Sequence, residues 1–414
     1  MSRSTHDSIV RTACLMGILY AFGIHALAAD RHFPLKGCGD MDYGRKTAME
    51  MLRKTPPAPL PADTAVLVFI GDVMLHSAQI ENAHGRYRDK GGNGSPDMHE
   101  AYDFQPYLSG IRHVLEEADI AVANMEFTLA GHPFTGYPAF SAPDSYAEYM
   151  ASCGIDIFLT ANNHIFDKGQ RGLRRTMERY RGLEKSHGIK TAGSIDTENE
   201  SAGTPLYVRA KGIKIALLNF TYGTNVPMKG RYMASIADTA AMKKAIGKAK
   251  DDSAELIIAL PHWGNEYRLK HSASQRRTAE WLAKNGADII IGTHPHVIQD
   301  CDTITVNKNG TEKTVPVIYS LGNIISNMSA ANTQLGLVLT VKVARDTCGM
   351  AELLPPEFEF TWCSLPARRS GSHRTVFVKE YLRQDDGLMT AYERTKMKDT
   401  YLRVKKETGI KDPD

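Results

Sequence analysis

Apolar residues along this chain fall into short runs, and polar residues gather where those runs end. Runs of strand length occupy 65–71 (AVLVFIG), 119–124 (DIAVAN), 155–161 (IDIFLTA) and 213–220 (IKIALLNF). Others follow at 255–261 (ELIIALP), 287–292 (ADIIIG), 315–320 (VPVIYS) and 335–344 (LGLVLTVKVA). Most are near-continuous in Val, Ile and Leu, the pattern of strands buried on both faces. Helical spacing between them predicts helices over 104–118, 172–185, 239–250 and 272–285, the last stopped by Gly286. Strand and helix in repetition predict an α/β layered fold. Beyond 345 the chain turns more polar and less periodic. There the basic stretch RTKMKDTYLRVKKETG (394–409) predicts a solvated terminal helix.

The N-terminus breaks this rhythm. A short basic leader ends at Arg11, a longer apolar stretch follows, and Ala26-Leu27-Ala28 places small residues where a signal peptidase reads. We expect a cleaved secretory signal over 1–28, with an uncleaved anchor as the alternative. The proline-marked linker TPPAPLPAD closes a polar segment over 29–63, one domain follows over 64–345, and 346–414 is a C-terminal extension. Localisation is accordingly read as exported, periplasmic or attached to a bacterial cell envelope. Five cysteines lie past the signal at irregular spacing without a zinc-type C-x-x-C pair, and pairing of Cys348 with Cys363 stays open.

Composition adds one exclusion. The 414 residues are 42% hydrophobic and 23% charged, with a net charge of +3 and no concentrated basic stripe, which argues against nucleic acid as a partner.

The candidate chemistry lies at the strand ends. Run 65–71 delivers Asp72 and His76, and run 119–124 delivers Glu126. Run 155–161 leads into Asn162, Asn163, His164 and Asp167. Runs 255–261, 287–292 and 315–320 lead into His262 with Glu266, His294 with His296, and Asn323. In α/β sheets such ends line one edge, and ligands bind in the crevice there. Each group alone has a bland reading as a hydrogen-bonded turn or a buried structural histidine. Repetition at six ends favours a shared polar edge. Carboxylate, amide and imidazole donors suit divalent manganese, iron or zinc. Two such ions about 3.5–4 Å apart are the usual device for activating water against a phosphoester. His84, His99, His113, His187 and His373 lack partner spacing and are assigned to the surface. His132, Tyr137, Phe140 and Arg171 belong to a loop over the site or near it, where contact with substrate and plain packing are both open.

The ordered motifs FIGDVMLH, VANMEFTLAG, YPAFSAP, LTANNHIFDKG, PHWGNEY, GTHPHVIQ and YSLGNII, spread across 67–325, carry a resemblance. Together they resemble the bacterial capsule synthesis protein CapA family, also called the poly-γ-glutamate synthesis family, within the calcineurin-like metallophosphoesterases. That resemblance implies a metallophosphatase-like four-layer α/β/β/α sandwich. It implies metal ligation by Asp72, His76, Glu126, Asn163, His262, His294 and His296. It also implies that His164 is a general acid oriented by Asp167. Of the other residues at the strand ends, Asn162, Glu266 and Asn323 are assigned to the substrate. Two departures stand out. Asp72 and His76 are four apart where Asp-x-His is usual, and share a face only if a helix follows the strand directly. Glu126 stands where Gly-Asp-x-x-Asp is usual.

The expected function is a metal-dependent hydrolase of a phosphoester or related bond in capsule or poly-γ-glutamate-type polymer biosynthesis. Its partners are the anionic polymer or its precursor and a membrane synthase or export complex. The alternative is a non-catalytic accessory that grips the anionic polymer for that synthase. No His-Glu-x-x-His, Gly-x-Ser-x-Gly or Gly-x-x-x-x-Gly-Lys-Ser/Thr occurs, so zincin, serine-hydrolase and P-loop chemistry lack their residues.

Overall fold

Two sheets take up nearly all the strands in a computed structural model that describes residues 63–200, 204–308, 311–367 and 371–412. The expected signal over 1–28 and nearly all of the 29–63 linker lie outside the described residues. In the first sheet β1 (Ala65–Val73), β2 (Ile120–Met125), β3 (Ile157–Leu159) and β4 (Lys190–Ala192) run parallel. A two-stranded pair, β5 (Ser194–Asp196) with β8 (Tyr232–Ala234), lies apart. The second sheet contains β6 (Leu206–Ala210), β7 (Ile213–Thr221), β9 (Leu256–His262), β10 (Ile289–Ile291), β11 (Cys301–Lys308) and β12 (Thr311–Ile318). Its order is β11-β12-β10-β9-β7-β6, with the four middle strands parallel. The chain then returns to the first sheet through β13 (Asn323–Ile325), β14 (Leu335–Arg345), β15 (Ala351–Leu353), β16 (Glu357–Ser364) and β17 (Arg374–Phe377).

Strand alternation builds the layers. On β1, Leu67 and Phe69 enter a core shared with Leu217, Ile258 and Ile289 of the second sheet. Val68 and Ile70 face the opposite way, into a core with helices α1 (Ser77–Asp89), α2 (Arg112–Glu117), α3 (Asp144–Ser152) and α4 (Gly169–His187). On β9, Leu256, Ile258 and Leu260 face the first sheet. Ile257 and Ala259 face α5 (Thr239–Asp251) and α6 (Ala273–Asn285). Because both faces of each central strand are covered, the strands need no polar alternation, which is why they read as solid apolar runs. The order helix, sheet, sheet, helix is the expected four-layer sandwich.

Several local expectations change. The helix expected over 104–118 exists only as α2. Pro106 and Gly110 interrupt the earlier part, and a Cβ at Gly110 would sit 2.5 Å from the Thr375 carbonyl oxygen, so that segment packs as a turn against β17. The region beyond 345 is no appendage, since β16 pairs with β14 and β17 with β16. Two helices follow, α7 (Val378–Arg383) and α8 (Ala391–Thr408). The expected solvated helix α8 buries Met397, Tyr401 and Val404 in the core between the sheets, with Tyr401 edge-on to Phe360 at 5.1 Å. The Lys396 and Lys405 ammonium groups lie over the Trp362 and Tyr401 rings, 6.0 and 5.3 Å from their centroids. Cys348 and Cys363 do not pair; Cys348 is exposed, and the buried Cys363 thiol donates to the Ser326 carbonyl at 3.3 Å. Among the described residues no helix is long and apolar enough to cross a membrane.

Candidate metal centre

Two glycines fix how the strand ends meet. A Cβ on Gly71 would come within 1.8 Å of the Gly322 carbonyl oxygen, so only glycine lets the Leu321-Gly322-Asn323 turn lie against β1. The Asp72 N–H donates to that carbonyl at 3.0 Å, and β13 pairs Asn323 with Asp72. The Gly-Asp and Leu-Gly-Asn motifs, some 250 residues apart in the chain, are thus two sides of one contact.

Around this contact the parallel strands of both sheets bring in their ends. Donor atoms of Asp72, Glu126 and His296 lie within 4.8 Å of one another, as do those of Glu126, His262 and His294. The two groups share Glu126. Asn163 joins through Oδ1, 2.8 Å from His262 Nε2. A third group comprises Glu266, His294 and His296. All these side chains are buried except Glu266.

The remaining expected residues surround this set. Asn323 Oδ1 is 3.0 Å from His296 Nδ1, and its amide donates to the Thr333 carbonyl, so Asn323 fixes the His296 ring. Asn162 is fully buried and donates to Asn124 Oδ1 and the Met125 carbonyl, behind the donor set. His164 Nδ1 lies 2.7 Å from Asp167 Oδ2, which also accepts from the Phe140 N–H at 2.9 Å. The Phe140 ring, fully buried, meets both His164 and His76 edge-on, so its role is packing. Tyr137 and Arg171 stay exposed, and His132 pairs with Asp97 at the surface.

His76 is the expected ligand that the structure keeps out of these donor groups. β1 ends at Val73 and α1 starts at Ser77, so no helix follows the strand directly and His76 becomes the cap of α1. Its Nδ1 lies 3.2 Å from Gln79 Oε1 and 3.3 Å from the Asn327 N–H. His373, expected at the surface, is fully buried, with Nε2 2.8 Å from Asn327 Oδ1.

Asn124 was not singled out from the sequence, yet it is the hub. Its amide donates to Asp72 Oδ1 at 2.7 Å and Glu126 Oε2 at 3.3 Å, and it lies 3.4 Å from His262 Nδ1. The available signal was a polar residue inside a strand buried at every position. Thr293, 3.0 Å from His262 Nδ1, and Asn225, beside Asn163 and His164, were also missed. Tyr222, half exposed, tilts over His294 at 4.7 Å between centroids.

The electrostatics suit cation ligands. Burial, followed by the neighbouring histidines, drives His262 well below the usual imidazole range and His294 down to about 3, so both rings are neutral donors. For His296 burial also pulls down, but Asp72 outweighs it and the net shift is upward. Burial and then Asp72 push Glu126 well above the carboxylate range. Glu126 Oε1 and His294 Nδ1 are two of twelve buried side-chain polar atoms without a hydrogen-bond partner among the described residues. Orphaned buried atoms cost about 1–3 kcal/mol each unless something pairs with them. Both belong to the donor groups, and both are lone-pair donors when Glu126 is ionised and His294 neutral. By that test the residues fit divalent cations. Non-glycine residues with positive φ also cluster here: Tyr267 (64°), His294 (101°) and His296 (57°). Such strain persists where the surrounding fold enforces it, typically at functional sites.

Comparison with known proteins agrees with the motif reading. Residues 66–328 match the family model for the bacterial capsule synthesis protein PGA_cap. The chain is similar to the capsule biosynthesis protein CapA of Bacillus anthracis, 27% identical over 70% of this chain and 66% of that protein. It is also similar to the PGA biosynthesis protein CapA of Bacillus subtilis strain 168, 23% identical over 75% and 76%. The chain therefore spans just under two thirds of the Bacillus anthracis protein's length. Among solved structures, the NAD nucleotidase of Haemophilus influenzae superposes with a TM-score of 0.41 at 14% identity, over 82% of this chain and 62% of that one.

Proposed function

The chain belongs to the bacterial capsule synthesis protein PGA_cap family, and from that premise we propose that it is a metal-dependent hydrolase of a phosphoester or related bond. It acts in the assembly of an anionic capsule polymer of the poly-γ-glutamate type, on the polymer or its precursor, beside a membrane synthase or export complex. The name of the Bacillus anthracis relative supports a capsule role, and that of the Bacillus subtilis relative supports PGA as the polymer. The apolar N-terminal segment ending in Ala26-Leu27-Ala28 supports export to the envelope.

The observation that carries the hydrolase reading is the shared, buried donor set with two orphaned atoms. Asp72, Glu126 and His296 would hold one cation, and Glu126, Asn163, His262 and His294 a second. Cations held there would supply Lewis-acid polarisation of the substrate and acidify a water nucleophile. The protein's own groups do the rest. Asn124 keeps the two carboxylates apart through one amide, and Asn323 sets the His296 ring. Asp167 accepts from His164 Nδ1–H, while the Phe140 N–H holds that carboxylate still. With Nδ1 committed, Nε2 is the His164 nitrogen that would hand a proton to the leaving oxygen.

Elemental analysis of gently purified protein should find roughly two transition-metal ions per chain. A screen of phosphodiesters and amides should reveal turnover that His164→Ala abolishes. Metal content well below about one ion per chain would overturn the proposal. A metal-loaded protein that turns over no compound would instead be a binding accessory of the synthase.

A further inference from the structure

We propose that Glu266 is a metal-ligating arm, placed by a strained turn so that its carboxylate reaches the edge of the two-cation centre where His294 of one donor group and His296 of the other meet. The inference rests on the metal-centre reading above and adds a ligand to it.

Glu266 is exposed, unlike every other member of the donor groups, yet its carboxylate lies within 4.8 Å of the donor atoms of both histidines. Exposure alone would describe any surface glutamate. Three further observations separate this one. First, His294 Nδ1 has no partner although the residue is only 3% exposed, so a buried donor in the same group awaits a ligand. Second, the backbone on either side of Glu266 is locked. Gly264 has a φ of 97° with Gln275 packed where a Cβ would stand, and Tyr267 has a φ of 64° while its N–H donates to the Pro295 carbonyl at 2.9 Å. That hydrogen bond ties the glutamate's turn to the residue between the two histidines, so the three donors move as one unit. Third, His76 joins none of the donor groups, which leaves the Asp72 side of the centre one nitrogen short of the expected set. Glu266 supplies an oxygen on the same histidine pair.

Charge gives the same direction. Asp72 and Glu126 offset only part of the charge of two divalent cations, and a third carboxylate reduces the excess by one unit. The Tyr267 hydroxyl hydrogen-bonds the Glu266 carboxylate, which keeps its other lone pairs for a cation.

Calorimetric titration of manganese(II) into the metal-stripped full chain tests this, comparing wild type with Glu266→Gln and Glu266→Asp. The expected result is two binding events in wild type, with one of them weakened roughly tenfold or more in Glu266→Gln. Glu266→Asp should recover part of that loss. Thermal unfolding of the metal-free proteins should coincide, since an exposed side chain is being changed. Equal manganese affinities in wild type and Glu266→Gln would overturn the inference and leave the metal centre standing, including the case where turnover alone falls. No manganese binding to wild type would overturn both.

Discussion

At the scale of single residues, Asn124 links the two carboxyl groups of the donor set. Asp72 and Glu126 sit together on adjacent strand ends, where burial and the Asp72 charge make ionising Glu126 costly. One amide donating to both Asp72 and Glu126 relieves that cost. Hydrogen bonds to charged groups contribute about 1.5–3 kcal/mol. Asn124→Ala should therefore destabilise the metal-free protein by about 2–3 kcal/mol in urea unfolding. Saturating manganese should restore most of that loss, because cations between the carboxylates would do what the amide did. A deficit of the same size with and without manganese would show that Asn124 serves packing and not charge separation.

At the scale of elements, α8 shows what sequence pattern conveys and what it hides. Its apolar positions Met397, Tyr401 and Val404 follow the spacing of one helical face, but they are three among many lysines and arginines. The Lys396 and Lys405 ammonium groups lie over aromatic rings at the margin, so the charge that argued for solvation is compatible with a buried stripe. Met397 is fully buried, and Met397→Ala should cost about 2–5 kcal/mol and lower the urea midpoint with little change in slope. A change within experimental error would mean that α8 only rests on the sheet. The central strands were legible because burial on both faces leaves an unbroken apolar run. β16 and β17 were not, since mixed residues such as those of Glu357–Ser364 read equally as loop. The acidic and imidazole ligands were legible because each strand and its polar successor are contiguous in sequence. Asn124, Thr293 and Asn225 carry no charge and were passed over. The placement of His76 was decided by the three residues between β1 and α1, a loop conformation that residue spacing does not encode.

At the scale of the whole molecule, buried histidines make stability depend on pH. Burial, reinforced by His76, pushes His373 down to about 3, while burial takes His76 to about 4 despite the Gln79 hydrogen bond. A histidine whose folded pKa lies below its unfolded value of about 6.5 stays neutral in the fold while the unfolded chain takes up the proton. Its contribution is therefore fully present above about pH 6.5 and is lost as pH falls toward 3–4. His262 and His294 act in the same sense, and Glu126, shifted upward, acts in the opposite one. His373 is the useful probe because it lies outside the donor groups and its Nε2 partner, Asn327 Oδ1, can be met by a glutamine amide. His373→Gln should flatten the dependence of unfolding free energy on pH between about 6 and 4 by up to 1.4 kcal/mol per pH unit, the slope of one proton. Urea titrations of the metal-free protein at several pH values read that slope directly. Parallel lines for wild type and variant would mean that His373 is protonated in the fold after all, with Asn327 Oδ1 accepting from its imidazolium.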